Sequence, residues 1–202
     1  AIDKPAGLLS EANRWGKGVN LWALAQAHFG TPLTLFHRLD RDTSGVVLFT
    51  RAQQFPEINR LLDQHFQQRT IRKTYFAHVV YPNRLAAEGE IRLPLDHDPR
   101  QRDRMVVVRS GGQWAKTLYR AETPREGYQP VWLYPETGRT HQLRVHLAAM
   151  GAPILGDRLY VPSTGSSPNG PVKFNVNVQG LVSVVDTTTD RDLGLTVNLN
   201  KG

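Results

Sequence analysis

The chain has 202 residues, 40% of them apolar, and a formal net charge of +7 at pH 7. This length suits one globular domain with a sizeable core, and no apolar run reaches the roughly 18 residues that span a membrane. Cysteine is absent, which excludes disulfides and thiolate metal sites, and no secretory signal pattern is visible, so we expect a cytoplasmic location.

Apolar periodicity in the first part of the chain predicts two helices, at residues 19–29 and 55–68. Segments rich in β-branched and aromatic residues predict strands at 33–39, 46–51 and 72–81. The charged stretch 41–45, which closes on Thr-Ser-Gly, is typical of a turn.

The second part begins with residues 81–113, which proline, glycine and aspartate interrupt and which hold an arginine cluster. Two further strands, expected to pair with each other, are predicted at 115–122 and 129–136. A turn at 137–139 then leads into a helix with Thr140 as its N-cap and a buried stripe of apolar side chains; Gly151 ends it.

Past residue 160 the composition changes to Val, Thr, Asn and Leu. Residues 162–171 predict a loop, and alternating apolar residues predict strands at 172–178 and 193–199. Strands outnumber helices and short turns often join them. The sequence therefore predicts an α/β fold of the α+β type, with a mixed, largely antiparallel sheet flanked by helices, in a single domain over residues 1–202.

The excess positive charge lies in residues 1–160, which hold 22 basic and 15 acidic side chains, whereas residues 161–202 hold three of each. Arginine supplies 19 of the 25 basic residues in the chain. Guanidinium groups favour planar, bidentate contacts with phosphate. The charge pattern thus indicates a polyanionic partner, most simply a nucleic acid.

Five ionisable residues crowd the stretch FHRLDRDTSG at 36–45, between two apolar runs. The residues after Asp40 supply the turn, which leaves Asp40 for another task. Arg38 and Arg41 beside it favour an ionised carboxylate suited to nucleophilic or base chemistry. A magnesium site shared with Asp42 is the alternative, although the neighbouring arginines disfavour a bound cation.

Further histidine, arginine and tyrosine residues allow both a structural and a functional interpretation. Histidines 37, 141 and 146 suit hydrogen-bonded core positions better than a zinc site, because their spacing is poor for one helix face. Arg144 has apolar neighbours, so its guanidinium requires a carboxylate, for which Asp40 is the natural candidate. Tyr75 is either a core aromatic residue or a platform on which a base stacks.

Four stretches resemble the RluA-type RNA pseudouridine synthases in order and approximate spacing, over roughly residues 2–160. They are DKPAG at 3–7, HRLDRDTSGVVLFTR at 37–51, KTYFAHV at 73–79 and TGRTHQLRVHLAAMGAPILGD at 137–157. The second and fourth stretches together are highly specific for that family. Residues 161–202 show no such match and form a divergent, β-rich C-terminal segment of the expected catalytic domain.

The resemblance implies roles for individual residues. It makes Asp40 the catalytic residue, Tyr75 the active-site tyrosine and Arg144 the arginine that pairs with the catalytic aspartate. It places Arg38 in RNA handling around the flipped base and Val145 in the lining of the pocket. The remaining arginines expected to bind RNA are Arg41, Arg100, Arg102, Arg104 and Arg139.

The function that follows is isomerisation of specific uridines in structured RNA, either rRNA or tRNA, to pseudouridine. We expect no cofactor and no metal, because the reaction exchanges one glycosidic bond for another without an external atom or redox equivalent. We also expect a monomer that has no membrane partner. The alternatives are a non-catalytic RNA-binding or chaperone domain and, less favoured, a metal-dependent nuclease.

Overall fold

A computed structural model describes residues 1–13, 16, 18–80, 85–157, 178–186 and 191–192, the last two ranges by their backbone. The predicted loop at 162–171 and the predicted strand at 193–199 lie outside the described residues, as does 172–178 except for Val178. No helix in the described ranges is both long enough and apolar enough to cross a membrane.

The helices of the described residues are α1 Leu21–Phe29, α2 Pro56–Gln67 and α3 Gln142–Ala149. The strands are β1 Ile2–Lys4, β2 Thr34–Leu35, β3 Thr43–Val47, β4 Phe49–Thr50, β5 Ile71–Val79, β6 Glu88–Arg92, β7 Leu95–His97, β8 Met105–Val107, β9 Lys116–Ala121, β10 Gln129–Pro135, β11 Val178–Asp186 and β12 Arg191–Asp192.

The chain forms two compact units, one from Ala1–Thr74 with Val178–Gly202 and the other from Tyr75–Asn177. In the first unit β3 pairs antiparallel with β1 and parallel with β11, and β12 pairs antiparallel with β11. The short strands β2 and β4 pair separately. The single domain over residues 1–202 stays a prediction.

The first unit has a small apolar core around Val46 and Ile71, against which Leu48 and Phe66 pack. Helix α1 begins where the Asn20 side chain accepts a hydrogen bond from Ala23 N at 3.0 Å, and it ends at Gly30. These boundaries agree with the predicted helix. Helix α2 also lies where the periodicity placed it.

The second unit is an antiparallel meander in which β5 pairs with β10, β10 with β9, and β9 with β6. A separate hairpin joins β7 to β8. Helix α3 contributes Val145 to a core that also contains Leu95, Met105 and Ala115. The predicted pair of strands at 115–122 and 129–136 is confirmed as β9 and β10, and the expected largely antiparallel, α+β fold is confirmed.

Three strands, β6, β7 and β8, lie in the stretch where the sequence predicts only broken chain. These strands are short, and Pro94 and the loop at 98–104 interrupt the alternation of apolar and polar residues. Too few alternating residues remain in each segment to predict a strand. Pairing with β9 stabilises β6, since five residues of each strand are in register, from Glu88 with Arg120 to Arg92 with Lys116. The pairing of β6 with β9 cannot be recognised from the local sequence pattern.

Two boundaries at functional stretches also differ from the prediction. Strand β3 already begins at Thr43, so the predicted turn at 41–45 is wrong in its second half. The N-cap of α3 is His141, with a φ of 54°, and not Thr140. At the other end Gly151 does terminate the helix, with a φ of 73° that suits glycine.

Removing residues 172–202 is expected to lower the melting temperature by roughly 5 °C or more, which corresponds to about 2 kcal/mol for a chain of this size. The deletion takes away β11, whose residues Val178–Gly180 pair in parallel with Thr43–Gly45 of β3. Thermal unfolding followed by circular dichroism measures the change. A deletion of 193–202 leaves β11 and β12 in place and serves as the control; equal melting temperatures for all three proteins would contradict the prediction.

Candidate active site

Asp40 is the first residue of a tight turn that leads into β3. The backbone N–H of Thr43 donates to the carbonyl oxygen of Asp40 at 3.1 Å, which closes the turn. The backbone of Asp40 therefore belongs to the turn, contrary to the expectation that the following residues supply it alone. Asp40 is half-buried and lies in the segment between β2 and β3.

The buried side chain of Lys4 holds this turn through hydrogen bonds. The Lys4 ammonium, at 0% exposure, donates to the carbonyl oxygens of Pro5 at 2.9 Å, Leu8 at 2.7 Å and Arg41 at 2.9 Å. An ammonium group has three N–H donors, so all three are satisfied. Lys4 thus joins the end of β1 and the loop after it to the residue that follows Asp40.

The charge of Lys4 also belongs to this site. Burial lowers the pKa of the Lys4 ammonium, and the negative charges of Asp42 and Asp40 act in the opposite direction. The electrostatic effect of both carboxylates on Lys4 places a cation close to the aspartate that the motif singles out. Lys4 therefore contributes a positive charge beside the turn that carries Asp40.

The residue before Asp40 is held as well. Buried Ser10 donates through its hydroxyl to the carbonyl oxygen of Leu39 at 2.8 Å and accepts from the N–H of Leu39 at 3.0 Å. Next to it, the exposed Arg38 forms an ion pair with Glu11. Arg41 is exposed too, and its Nε donates to the carbonyl oxygen of Gly7 at 3.1 Å. Both sides of Asp40 are therefore anchored to the N-terminal segment.

His37 packs under the same segment as a neutral imidazole. Its Nε2 accepts from the N–H of Leu48 at 3.1 Å, so the proton resides on Nδ1, and its ring stacks on Phe66 at 5.4 Å. Burial, with a smaller effect from the charge on Lys73, lowers the pKa of His37 to about 4. This is the hydrogen-bonded core position that the sequence favoured over a zinc ligand.

The low pKa of His37 predicts a dependence of stability on pH. The unfolded imidazole binds its proton near pH 6.5 and the folded one only near pH 4, so stability is complete above pH 6.5 and is lost as the pH falls towards 4. We expect the protein to lose about 2 kcal/mol more than a His37→Gln variant between pH 7 and pH 5. Urea unfolding at both pH values measures this difference, and equal losses would contradict it.

In the second unit, Gln142 organises the turn that carries Arg139. Its buried Oε1 accepts from the hydroxyl of Thr137 at 2.7 Å and from the N–H of Arg139 at 3.0 Å. Its Nε2 donates to the carbonyl oxygen of Lys116 at 3.0 Å and to the hydroxyl of Thr117 at 2.9 Å. Every hydrogen-bonding position of the amide is used, so Gln142 fixes the turn against the start of β9.

The carboxylate that the second unit provides for Arg144 is Asp157. Arg144 Nε lies 2.5 Å from Asp157 Oδ2, and Nη2 lies 2.8 Å from Oδ1, which is a bidentate ion pair. Asp157 is buried and Arg144 largely so. The requirement for a carboxylate partner is confirmed within this unit by a residue that the sequence reasoning did not select. A pairing of Arg144 with Asp40 stays a prediction.

The other predicted residues of the second unit occupy different environments. Tyr75 is half-buried on β5, where it stands opposite Leu133 of β10. Val145 is 3% exposed and packs in the core, so a role in lining a pocket stays a prediction. Of the arginines in the β7–β8 hairpin, Arg100 and Arg102 are exposed and Arg104 is half-buried.

Among the described residues, no group of three or more His, Asp or Glu side chains is placed to hold a metal ion. Buried His146 uses both ring nitrogens inside the unit. Its Nδ1 lies 3.0 Å from the Thr117 hydroxyl, and its Nε2 lies 3.3 Å from the carbonyl oxygen of Leu93. His146 is therefore a hydrogen-bonded core residue, as the sequence favoured.

In four residues the structure shows a positioning role that the sequence did not indicate: Lys4, Ser10, Gln142 and Asp157. Three of them lie inside the quoted motifs, in DKPAG, in TGRTHQ and in the final GD of the last block. Those motifs were the only available signal, because each contact joins segments that are distant along the chain. Ser10 had no comparable signal.

Comparisons with known proteins agree with the motifs. A family model described as RNA pseudouridylate synthase matches residues 1–149. The dual-specificity RNA pseudouridine synthase RluA of Vibrio cholerae is 37% identical over 163 residues, which are 80% of this chain and 64% of that protein. RluA of Yersinia pestis is 39% identical over 163 residues, with coverage of 79% and 76%.

The lengths covered differ among the relatives. An RNA pseudouridine synthase of Chloroflexus aurantiacus is 44% identical over 128 residues, which are 63% of this chain and 39% of that protein. The chain thus spans less than two thirds of the length of several relatives that it matches, including that of Vibrio cholerae.

The fold leads to the same group of proteins. The structure of human RNA pseudouridylate synthase domain containing 4 is 26% identical, with a TM-score of 0.63 over 89% of this chain and 78% of that one. Human RNA pseudouridylate synthase domain containing 1, at 22% identity, shares the fold with a TM-score of 0.65 over 86% of this chain and 72% of that one. With a family model that covers most of its residues and relatives more than a third identical to it, this chain belongs to the RNA pseudouridylate synthase family.

Proposed function

We propose that this protein isomerises specific uridines in structured RNA, rRNA or tRNA, to pseudouridine. The observation that carries the proposal is the turn at Asp40 in this member of the family. It holds a carboxylate on a hydrogen-bonded backbone, with the buried cation Lys4 beside it. In the reaction the N1–C1′ bond of uridine breaks and a C5–C1′ bond forms. The proton on C5 is released and N1 gains one, so no redox equivalent is needed.

Asp40 is the group that we assign to the chemistry at C1′ or at the base. An ionised carboxylate is able to attack C1′, to remove a sugar proton or to add to the uracil ring. The hydrogen bonds that hold Leu39 and Arg41 restrict the backbone on both sides of Asp40, so the carboxylate needs little reorganisation in the reaction. The contribution of Tyr75 and Arg144 to the same chemistry is proposed from the family motifs.

The target base has to leave its stack before it reaches a carboxylate. Extruding a base costs a few kcal/mol, which contacts with the phosphates offset. The exposed Arg38, Arg41, Arg100 and Arg102 and the half-buried Arg104 and Arg139 carry the positive charge for that task, and we assign it to them. The monomeric state, the cytoplasmic location and activity without a metal stay predictions.

The direct test incubates the purified protein with RNA that carries tritium at C5 of uridine. Isomerisation releases tritium to water and leaves pseudouridine in the RNA, and chelation of divalent cations should not prevent it. RNA binding without release would indicate the non-catalytic RNA-binding alternative. RNA cleavage that a chelator abolishes would indicate the nuclease.

The affinity for RNA is expected to fall steeply with salt. Six phosphate contacts by these arginines predict a slope of about −4.2 in a plot of log K against log salt concentration for single-stranded RNA. An Arg100→Gln, Arg102→Gln double variant should reduce the steepness by about 1.4. Arg60→Gln, at an exposed position of α2, removes one arginine charge outside this set and serves as the control, which should leave the slope unchanged. Filter binding at several salt concentrations measures the slopes, and a salt-independent affinity would contradict the prediction.

A further inference from the structure

Trp114 differs from the other tryptophans of the described residues. Trp22 donates its indole N–H to the carbonyl oxygen of Leu33 at 2.8 Å, and Trp132 donates to Glu122 Oε1 at 2.7 Å. Trp114 is 51% exposed, and within the described residues its indole N–H has no hydrogen-bond partner. Tryptophan is highly buried on average, so half of an indole in water calls for a reason.

The backbone around Trp114 is rigid on its N-terminal side. Gln113 and Leu95 exchange two hydrogen bonds, of 2.7 and 2.9 Å, which attach this segment to β7. Gly112, with a φ of 72°, precedes it, and a Cβ on Gly112 would lie 2.5 Å from a methyl group of Val108. The tight approach of the chain at Gly112 therefore fixes where Trp114 emerges.

The C-terminal side of Trp114 is held equally well. Ala115 is fully buried, and the N–H of Lys116 donates to the hydroxyl of Thr137 at 3.0 Å. An aromatic side chain exposed on a mobile loop tip needs no explanation. Here, by contrast, the exposed ring stands on a backbone that is hydrogen-bonded before and after it.

A guanidinium group contacts the backbone of Trp114. Arg139 Nε donates to the carbonyl oxygen of Trp114 at 3.1 Å, and the backbone N–H of Arg139 is held by Gln142. Among the described residues, no carboxylate lies within ion-pair distance of Arg139. The exposed Arg109 lies in the bend that leads into this segment, and the carboxylate of Glu136 on the other side is paired with Lys116 at 2.8 Å.

We propose that Trp114 and Arg139 form a binding surface for an unpaired nucleotide of the RNA substrate, with the base stacked on the indole and a phosphate on the guanidinium. The proposal rests on the RNA substrate of the proposed function. A solvent-exposed aromatic ring next to guanidinium groups is the combination that binds single-stranded nucleic acid, because every base offers a face for stacking. A protein partner fits less well, since the Arg139 guanidinium that contacts Trp114 is positive and has no carboxylate partner among the described residues.

Substitutions at Trp114 test the stacking. Trp114→Ala is expected to weaken RNA binding, and to raise KM, about fivefold or more, with kcat at saturating RNA unchanged. Trp114→Phe keeps an aromatic face and should restore most of the affinity. Leu118→Ala, which removes an exposed apolar side chain from β9, is the matched control and should bind as the parent does. Parental KM in Trp114→Ala would overturn the proposal.

Fluorescence separates this proposal from the proposed activity. A single-stranded RNA oligonucleotide should quench tryptophan emission of the parent and of Trp132→Phe, and the quenching should be largely lost in Trp114→Phe. Undiminished quenching in Trp114→Phe would overturn the nucleotide-binding surface, even if the parent forms pseudouridine. Loss of quenching in Trp114→Phe would support the surface, even if the parent released no tritium and the proposed activity failed.

Discussion

Replacing Asp40 with asparagine is expected to reduce the release of tritium from C5-labelled uridine at least about 10³-fold, to the limit of detection. The substitution keeps the shape of the side chain and removes its negative charge, and a neutral amide serves neither as nucleophile nor as base. The backbone of residue 40 still accepts the hydrogen bond that closes the turn, so the fold should survive. RNA affinity should be retained or slightly raised, since a negative charge near phosphates is lost.

Asp42→Asn is the matched control for this experiment. Asp42 is an exposed carboxylate of the same stretch, two residues further on, and its replacement makes the same change in net charge. We expect Asp42→Asn to keep most of the parental rate. A parental rate of tritium release from Asp40→Asn would show that another residue carries the chemistry, and the mechanism proposed for Asp40 would have to be abandoned.

The second large effect is expected at Lys4. Lys4→Met removes the ammonium group and leaves the carbonyl oxygens of Pro5 and Leu8 without their donor, whereas that of Arg41 keeps the N–H of Gly7 at 2.9 Å. An acceptor that loses its partner costs about 1–3 kcal/mol, so we expect the free energy of unfolding to fall by at least about 2 kcal/mol. Urea unfolding at pH 7 measures the change.

Lys116→Met provides the comparison with the same change of side chain. Lys116 pairs with Glu136 at 2.8 Å in a partly exposed setting, where such ion pairs contribute about 1 kcal/mol or less. If Lys4→Met were no more destabilising than Lys116→Met, the three hydrogen bonds would not anchor the turn. Any Lys4→Met protein that remains folded should also isomerise uridine more slowly, because the turn that carries Asp40 loses the buried lysine that joins Arg41 to the carbonyl oxygens of Pro5 and Leu8.

The sequence by itself determined the regular elements whose pattern is local, and it selected Asp40 as the residue that we propose for the chemistry. Helices α1 and α2 follow from apolar spacing and from residues at their ends such as Gly30, and the strands β5, β9 and β10 follow from runs of β-branched and aromatic residues. Asp40 stands out for the same reason, since an unusual density of charge in one short stretch is visible without any partner. The motifs around it also identified the family.

The tertiary structure alone decided which distant segments hold these residues in place. Lys4 reaches a carbonyl oxygen 37 residues away, and the bidentate pair of Arg144 with Asp157 spans 13 residues. The parallel pairing of β11 with β3, like the short strands β6 to β8, depends on backbone hydrogen bonds between segments far apart in the chain. A side-chain pattern records the periodicity and burial of its own segment, whereas the choice among several possible partners is made by packing and by the satisfaction of buried polar groups. For that reason the need of Arg144 for a carboxylate was evident from its apolar neighbours, but the identity of Asp157 was not.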